Sequence, residues 1–286
     1  MKQEKTLLYE RLTNPVMKLT RANQKIADYL LRNYPSCMLK NASEMASELA
    51  VNVSTVTRFF QKIGYKSIRE AQNEFKEDYD FLISSPLDRF QQTRSTLGRE
   101  GLFQEVLDMD AINIRNTFAG ISRQDLEKFL NILKLSRQIF IFSERSKTFA
   151  LAYYFYAQLK FILPGIQFLR ADKMIIADSL SKISKQDTLI IFSFRRYPIL
   201  HQLVAKVFRK WSGKIVTLTD SPISPIAKLA DLVLLVETNS VSPFDSYTAG
   251  FSLLNALLGE LSREYASSLA SNYERIEETY KDLEIF

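Results

Sequence analysis

The sequence predicts two domains, an all-helical N-terminal domain and a C-terminal α/β domain built on a parallel sheet. The length of 286 residues is more than one compact domain usually needs. No glycine occurs before Gly64, and the apolar residues in this region recur at helical spacing. Beyond residue 101, short apolar, β-branched runs alternate with amphipathic stretches, a pattern typical of doubly wound sheets.

Composition limits the class of protein. An apolar fraction of 46% is sufficient for packed cores and argues against disorder. The first residues lack the apolar region of a signal peptide, and no run approaches the roughly 20 apolar residues that cross a membrane. The single cysteine, Cys37, cannot form an internal disulfide, which fits a reducing compartment. We therefore expect a cytoplasmic protein with no membrane partner.

The helical domain is predicted at residues 1–80, a linker at 81–100 and the α/β domain at 101–286. The stretch SSPLDRFQQTRSTLGRE within the linker is polar and contains Ser, Pro and Gly, as linkers do. Residues 1–79 contain 13 Lys and Arg against 9 Asp and Glu. A basic excess in the smaller domain is typical of a nucleic-acid-binding module.

The first domain begins with a helix that we expect to start after Thr20. It continues into a helix-turn-helix, in which Ser43 is expected to cap a helix ending at Leu49 and Ser54 a second helix ending at Gly64. Small and apolar side chains are expected to form the shared core: Met45, Ala46, Leu49, Val53, Val56 and Phe60.

The second helix of such a motif enters the major groove with its N-terminal part. Four of its residues are expected near base edges or phosphates: Ser54, Thr55, Thr57 and Arg58. Four later residues are expected to contact phosphates: Lys62, Lys66, Ser67 and Arg69. The predicted partner is double-stranded operator DNA. The alternative is a solvated helical hairpin with ordinary surface charges.

The α/β domain is predicted to contain two helices, at 101–119 and 122–135, before its first strand. Five strands are predicted at 138–142, 165–169, 187–194, 214–219 and 231–236. Amphipathic helices are predicted between them, at 147–162, 173–184, 198–212 and 222–230, and a last apolar helix at 246–270. The aromatic stretch at 149–161 and Trp211 are expected to belong to the core.

The segment from Leu19 to about Phe75 resembles the N-terminal domain of RpiR-family regulators. The run VNVSTVTRFFQKIGYKS carries the resemblance, with Ile63 in place of that family's usual Leu. The resemblance implies a DNA-binding transcriptional regulator with a C-terminal sugar-isomerase (SIS) domain. That domain has a five-stranded parallel sheet in the flavodoxin-like order and usually binds phosphosugars. Residues 110–270 resemble it, most specifically in TDSPISPIAKLADLVLLV.

The phosphate loops of typical SIS domains are altered in this sequence. The glycine-rich turn after the first strand is replaced by FSERSKTFA, which retains Ser146, and the serine-rich loop after the third strand by FSFRRYPIL. Together with VSPFDSYTAGF, these changes resemble a subset of RpiR-type regulators. Phosphosugar specificity therefore does not carry over unchanged.

Small molecules bind at the switch point of a doubly wound sheet, which the flavodoxin-like order places between its first and third strands. Six residues of the loops after these strands are expected to converge there: Arg145, Ser146, Ser193, Arg195, Arg196 and Tyr197. Arginine fits phosphate or carboxylate, so we expect a small anionic metabolite, for which a phosphosugar is one candidate. Of Arg195 and Arg196, one is expected to face the ligand. The alternatives are pairing with Asp172, Asp220 or Asp245, and a subunit contact.

Three functions are compatible with these features: a regulator that responds to an anion, a DNA-binding protein whose α/β domain only dimerises, and a sugar-phosphate isomerase. We expect no enzyme, because no acid/base pair is evident and His201, the only histidine, is expected on a helix surface. One His and one Cys exclude a His/Cys zinc site, and no nucleotide fingerprint occurs, so no metal or cofactor is expected.

We expect an even-numbered homo-oligomer, at least a homodimer, because paired helix-turn-helix motifs gain a second DNA half-site. Apolar residues of the predicted last helix are expected to provide the two-fold contact: Phe251, Leu253, Leu254, Leu257 and Leu258.

Overall fold

The computed structural model describes residues 20–33, 37, 40–73, 86–94, 100–222 and 224–285. Its contacts divide the chain into two compact units, Met1–Ser85 and Pro86–Phe286. Leu19 and half of the predicted linker, residues 81–85 and 95–99, lie outside the described residues. Within that linker, Pro86–Thr93 forms a helix.

The first unit contains helices α1 (Arg21–Asn33), α2 (Ala42–Leu49) and α3 (Val53–Lys62), and a helical stretch at 68–73. The Thr20 hydroxyl accepts the Asn23 N–H at 3.4 Å, which confirms the predicted start of α1. Apolar side chains from all three helices form one core: Ile26, Ala27, Leu30, Met45, Ala46, Leu49, Val56, Phe59 and Phe60.

The caps of α2 and α3 differ from the prediction. The Asn41 side chain accepts the N–H groups of Ser43 and Glu44 at 2.9 and 3.0 Å, and the Glu44 carboxylate accepts the Asn41 N–H. Ser43 is therefore inside the helix, because Asn41 already supplies the cap. The N-cap of α3 is Asn52, which places Ser54 in the first turn rather than at the cap.

The predicted core of the helix-turn-helix is confirmed for five of its six residues, which are buried. Val53 is 44% exposed, so its predicted place in the core was wrong. It is the first residue of α3, and the buried face begins three residues later at Val56. Gly64 has φ 94°, a left-handed conformation that suits glycine and ends the helix as predicted.

The second unit is an α/β domain. After the Pro86–Thr93 helix, here α4, its helices are α5 (Leu102–Ala119), α6 (Arg123–Lys134), α7 (Ser146–Ile162), α8 (Lys173–Leu180), α9 (Ile199–Lys210), α10 (Thr248–Glu264) and α11 (Ala266–Asp282). Its strands are β1 (Ile139–Phe142), β2 (Ile166–Leu169), β3 (Thr188–Phe192), β4 (Lys214–Thr219) and β5 (Leu232–Leu235). All pairings are parallel in the order β2-β1-β3-β4-β5, the predicted flavodoxin-like order.

Alternate strand residues pack against helices on opposite faces of the sheet, as strand geometry requires. Ile139 and Ile141 of β1 belong to a core formed with α6, α7 and α10. Phe140 and Phe142 face the other side and pack with α8 and α9. The order of strands reverses between β1 and β3. The carboxyl ends of these two strands therefore form the switch point of the sheet.

Four details of this unit differ from the prediction. The helix predicted at 222–230 is a single 3₁₀ turn, Ala227–Leu229, and the helix predicted at 246–270 is divided between α10 and α11. Trp211 is 53% exposed and does not belong to the core. The leucines of α10 that we expected at a dimer contact are buried inside this domain, where they pack against α7 and the sheet.

Candidate functional sites

Helical periodicity places the buried residues of α3 on one face of the helix and its exposed residues on the other. Val56, Phe59 and Phe60 are buried in the core of the first unit. On the other side, Ser54, Arg58 and Lys62 are exposed and recur every four residues, so they form one stripe along the helix. No side chain caps the N-terminus of α3, and this end of the helix carries a partial positive charge.

The remaining predicted DNA contacts lie beside this stripe or beyond it in the chain. Thr55 and Thr57 are half-buried, and the Thr57 hydroxyl donates to the Val53 carbonyl at 3.2 Å. Lys66 and Arg69 are exposed. The Ser67 hydroxyl accepts the Glu70 N–H at 3.2 Å, so this serine caps the helical stretch at 68–73.

In the second unit, His201 connects the two loops of the switch point. Its Nε2 accepts the Glu144 N–H, which follows β1, and its Nδ1 lies 3.0 Å from the hydroxyl of Ser193, which follows β3. Because Nε2 is an acceptor, Nδ1 of the neutral ring carries the proton and donates to Ser193. The histidine therefore holds the β1 and β3 loops in a fixed relation.

The expectation that His201 lies on a helix surface was wrong, since its side chain is completely buried. Burial, together with the positive charge of Arg145, lowers the pKa of His201 to about 4. The ring is therefore neutral at physiological pH, and both nitrogens have partners within the domain. Helical spacing could have identified it, because His201, Val204, Ala205 and Phe208 share the buried face of α9.

Arg195 is paired inside the domain. Its Nη2 lies 2.7 Å from Asp245 and its Nε 3.8 Å from Asp220, and all three side chains are less than 10% exposed. The Tyr197 hydroxyl donates to Asp220 at 2.9 Å. Burial raises the pKa of Asp220, and burial together with the adjacent Asp220 carboxylate raises the pKa of Tyr197 well above its usual range.

The two other arginines of the crevice are exposed. Arg145 is the N-cap of α7, directly after β1, and Arg196 follows the paired Arg195. Adjacent arginines thus have opposite environments, with Arg195 paired to carboxylates and Arg196 open to solvent. Ser146 begins α7, and its side chain lies outside the described features. Ser193 is buried against His201.

The six predicted residues lie on the two loops of the switch point, but their side chains divide into two groups. Ser193, Arg195 and Tyr197 have hydrogen-bond partners inside the domain. Arg145 and Arg196 are exposed. Among the described residues, no group of three or more His, Cys, Asp and Glu is arranged to hold a metal ion. No described helix has the length and apolarity needed to span a membrane.

A helix-turn-helix unit followed by a parallel α/β unit with a switch-point crevice defines the class of transcriptional regulators that carry an SIS domain. The model of the rpiR-family helix-turn-helix domain matches residues 6–80, and the model of the SIS domain matches residues 132–259. The chain thus combines an rpiR-family helix-turn-helix domain with an SIS domain.

Relatives with curated names agree with this class. A Haemophilus influenzae protein named as an uncharacterised HTH-type transcriptional regulator is 25% identical over 76% of this chain and 75% of its own length. A Thermotoga maritima protein with the same description is 24% identical over 80% of this chain and 81% of its own.

Solved structures share the fold. The sugar isomerase domain of an RpiR transcription factor from Sphaerobacter thermophilus matches with a TM-score of 0.60 at 19% identity, over 63% of this chain and 99% of that one. The Vibrio vulnificus NanR protein, complexed with ManNAc-6P, matches with a TM-score of 0.52 at 18% identity, over 97% of this chain and 98% of its own.

Proposed function

We propose that this regulator senses a small anionic metabolite at the switch-point crevice of its SIS domain and that it binds operator DNA as a cytoplasmic dimer. The observation that carries the proposal is the pair of exposed arginines, Arg145 and Arg196, on the two loops that meet there. Two guanidinium groups at one crevice favour a phosphate or carboxylate.

The surroundings support an anionic ligand of modest size. Arg145 precedes the first turn of α7, whose N-terminus has no side-chain cap and favours negative charge. The paired Arg195 contributes little positive charge, because Asp220 and Asp245 neutralise it. The arginine that we expect to face the ligand is therefore Arg196. NanR, which shares the fold, was solved with a phosphosugar, so sugar phosphates are the first compounds to test.

The test is a titration of operator binding with sugar phosphates and organic acids. Compounds that raise the melting temperature of the full chain are selected first. In Arg145→Ala and Arg196→Ala, we expect about tenfold weaker response, because a charge-assisted contact contributes roughly 1.5–3 kcal/mol. Lys185→Ala, at an exposed lysine before β3, is the control. If both arginine variants respond like the wild type, the crevice is not the sensor. If no compound changes operator binding by the wild type, the alternative in which the α/β domain only dimerises is favoured.

On the DNA side, we propose that α3 is the recognition helix and that Ser54, Thr55, Thr57 and Arg58 approach base edges. Lys62, Lys66, Ser67 and Arg69 would contact phosphates. The exposed stripe on α3 supports this assignment, since Arg58 lies between Ser54 and Lys62 on the outer face. Ser67 would then contribute while capping its own helix.

We further propose that the chain is not an isomerase. His201, which could serve as a general base, is buried with both ring nitrogens hydrogen-bonded inside the domain. The test is an isomerase assay with a sugar phosphate that also changes operator binding. The proposal would be contradicted if the chain turned this compound over and if His201→Asn lost the turnover while it retained the fold.

A further inference from the structure

A groove between α8 and α9 is lined mainly by apolar side chains and has a volume of about 360 Å³. Leu203, Val207 and Trp211 form its α9 side and are 46, 42 and 53% exposed. They recur every four residues, so they form one stripe along the helix. The face by which α9 packs on its own domain includes His201 and Phe208 and lies apart from this stripe. The stripe is therefore an exposed apolar surface, and such a surface indicates a binding site.

The floor of the groove is apolar as well. Ile176, Leu180 and Val204 line it and are buried. Because each helix returns the chain between two parallel strands, α8 and α9 run in the same direction. The groove is thus an apolar channel along both helices, and from Leu203 to Trp211 it extends about 12 Å. Pockets of roughly 300–1,000 Å³ with a mostly apolar lining are typical of small-molecule sites, and the groove has these properties.

The charges at the groove are positive. Lys173, the first residue of α8, lines it, and the Lys210 ammonium lies 5.5 Å from the centroid of the Trp211 ring. Asp172, the N-cap of α8, and Asp178, within that helix, do not line the groove, and none of its described lining residues is acidic. Two such grooves facing each other would oppose lysines to lysines, which disfavours a second copy as the occupant. The charges instead favour an apolar molecule that carries a negative charge.

We propose that the α8–α9 groove binds a small amphipathic anion, of which a medium-chain alkyl carboxylate is the simplest form. The alkyl chain lies along the apolar channel, where its burial supplies most of the affinity. The carboxylate contacts the Lys173 ammonium, which lines the groove in the first turn of α8, at the positive end of that helix. The site is separate from the switch-point crevice, because neither Arg145 nor Arg196 lines the groove. The inference therefore does not rest on the function proposed for the crevice.

Trp211 makes a direct test possible, because it is the only tryptophan of the chain and forms one wall of the groove. The full chain is titrated with decanoate below its micelle concentration, and with decanol as a neutral ligand of the same chain length. Decanoate should shift the Trp211 emission to shorter wavelength in a saturable way, because the alkyl chain replaces water at an indole that is 53% exposed. Decanol should bind about tenfold more weakly or less, since it lacks the charge-assisted contact with Lys173.

Two substitutions locate the ligand. Leu203→Asp places a carboxylate in the channel and Lys173→Ala removes the cation, so each should weaken decanoate binding about tenfold or more. Lys173→Ala should leave decanol binding unchanged. Both side chains are exposed, so the circular dichroism and the melting temperature should match those of the wild type. The control is Lys206→Ala, which removes an exposed lysine of α9 that does not line the groove and should bind decanoate like the wild type.

Several outcomes would overturn the proposal. The first is a Trp211 emission that millimolar decanoate leaves unchanged, and the second is equal binding of decanoate by Leu203→Asp and the wild type. Equal affinity for decanoate and decanol, or equal losses in Lys206→Ala and Lys173→Ala, would contradict the assigned contact with Lys173. If Leu203→Asp weakened self-association in sedimentation while decanoate did not bind, the groove would be an interface between copies. The response of the crevice to anions is measured through operator binding and is independent of these results.

Discussion

The two units use arginine in opposite ways. Arg58 lies on the outer face of α3, where the apolar core is on the other side of the helix and no carboxylate pairs with it in the described contacts of that helix. Arg195 lies in the loop that follows β3, with its side chain 7% exposed and two carboxylates beside it. The same residue type is thus available to a partner in one unit and holds loops together in the other. Burial, rather than residue type, decides the role.

The largest expected effect tests the buried pair. Arg195→Ala leaves Asp220 and Asp245 without their cation, and loss of one partner of a buried ion pair costs about 3–5 kcal/mol. The adjacent Arg196→Ala removes an exposed side chain and should change stability by less than about 0.5 kcal/mol. Urea unfolding of the α/β unit measures both. Equal effects of the two variants would mean that Arg195 does not hold these loops.

The next prediction concerns His201. Its pKa is lowered to about 4 in the folded domain from an ordinary value of 6.5, so folding favours the neutral ring. The contribution to stability is complete above pH 6.5 and is lost as the pH falls toward 4, by about 3 kcal/mol in all. The measurement is the difference in unfolding free energy between wild type and His201→Gln from pH 7.5 to 4. Subtracting one curve from the other cancels the contributions of the other titrating groups. A difference in unfolding free energy that does not vary with pH would contradict the prediction.

Much of the fold could be predicted from the sequence because its signals are local. The run KIVTLT coincides with β4, since a buried parallel strand needs uninterrupted apolar and β-branched residues. The N-cap of α2 could not be chosen as reliably, because Asn41 and Ser43 are both good caps and lie two residues apart. Local sequence signals could not predict the pairing of Arg195 either. Its carboxylate partners lie 25 and 50 residues further along the chain, and only the folded loops bring them together.

A smaller effect is expected at the DNA surface. If Arg58 reads a base, Arg58→Ala should weaken specific operator binding by about 1–3 kcal/mol and relax specificity. Lys66→Ala should weaken binding to all sequences alike and reduce the slope of affinity against salt by about one. Fluorescence anisotropy with operator and scrambled duplexes at several salt concentrations measures both. Both side chains are exposed, so stability should not change, and unaltered DNA affinity in both variants would exclude α3 from the interface.

The smallest expected effect distinguishes the two candidate caps of α2. Asn41 accepts two N–H groups at the start of the helix and completes a capping box with Glu44. Its replacement by alanine should destabilise the helix-turn-helix unit by about 1 kcal/mol. Ser43→Ala should be close to neutral, because Ser43 is exposed within the helix and Asn41 already supplies the cap. Thermal unfolding of the two variants decides between the caps. A larger loss at Ser43 than at Asn41 would restore the helix start predicted from the sequence and move the beginning of α2 by two residues.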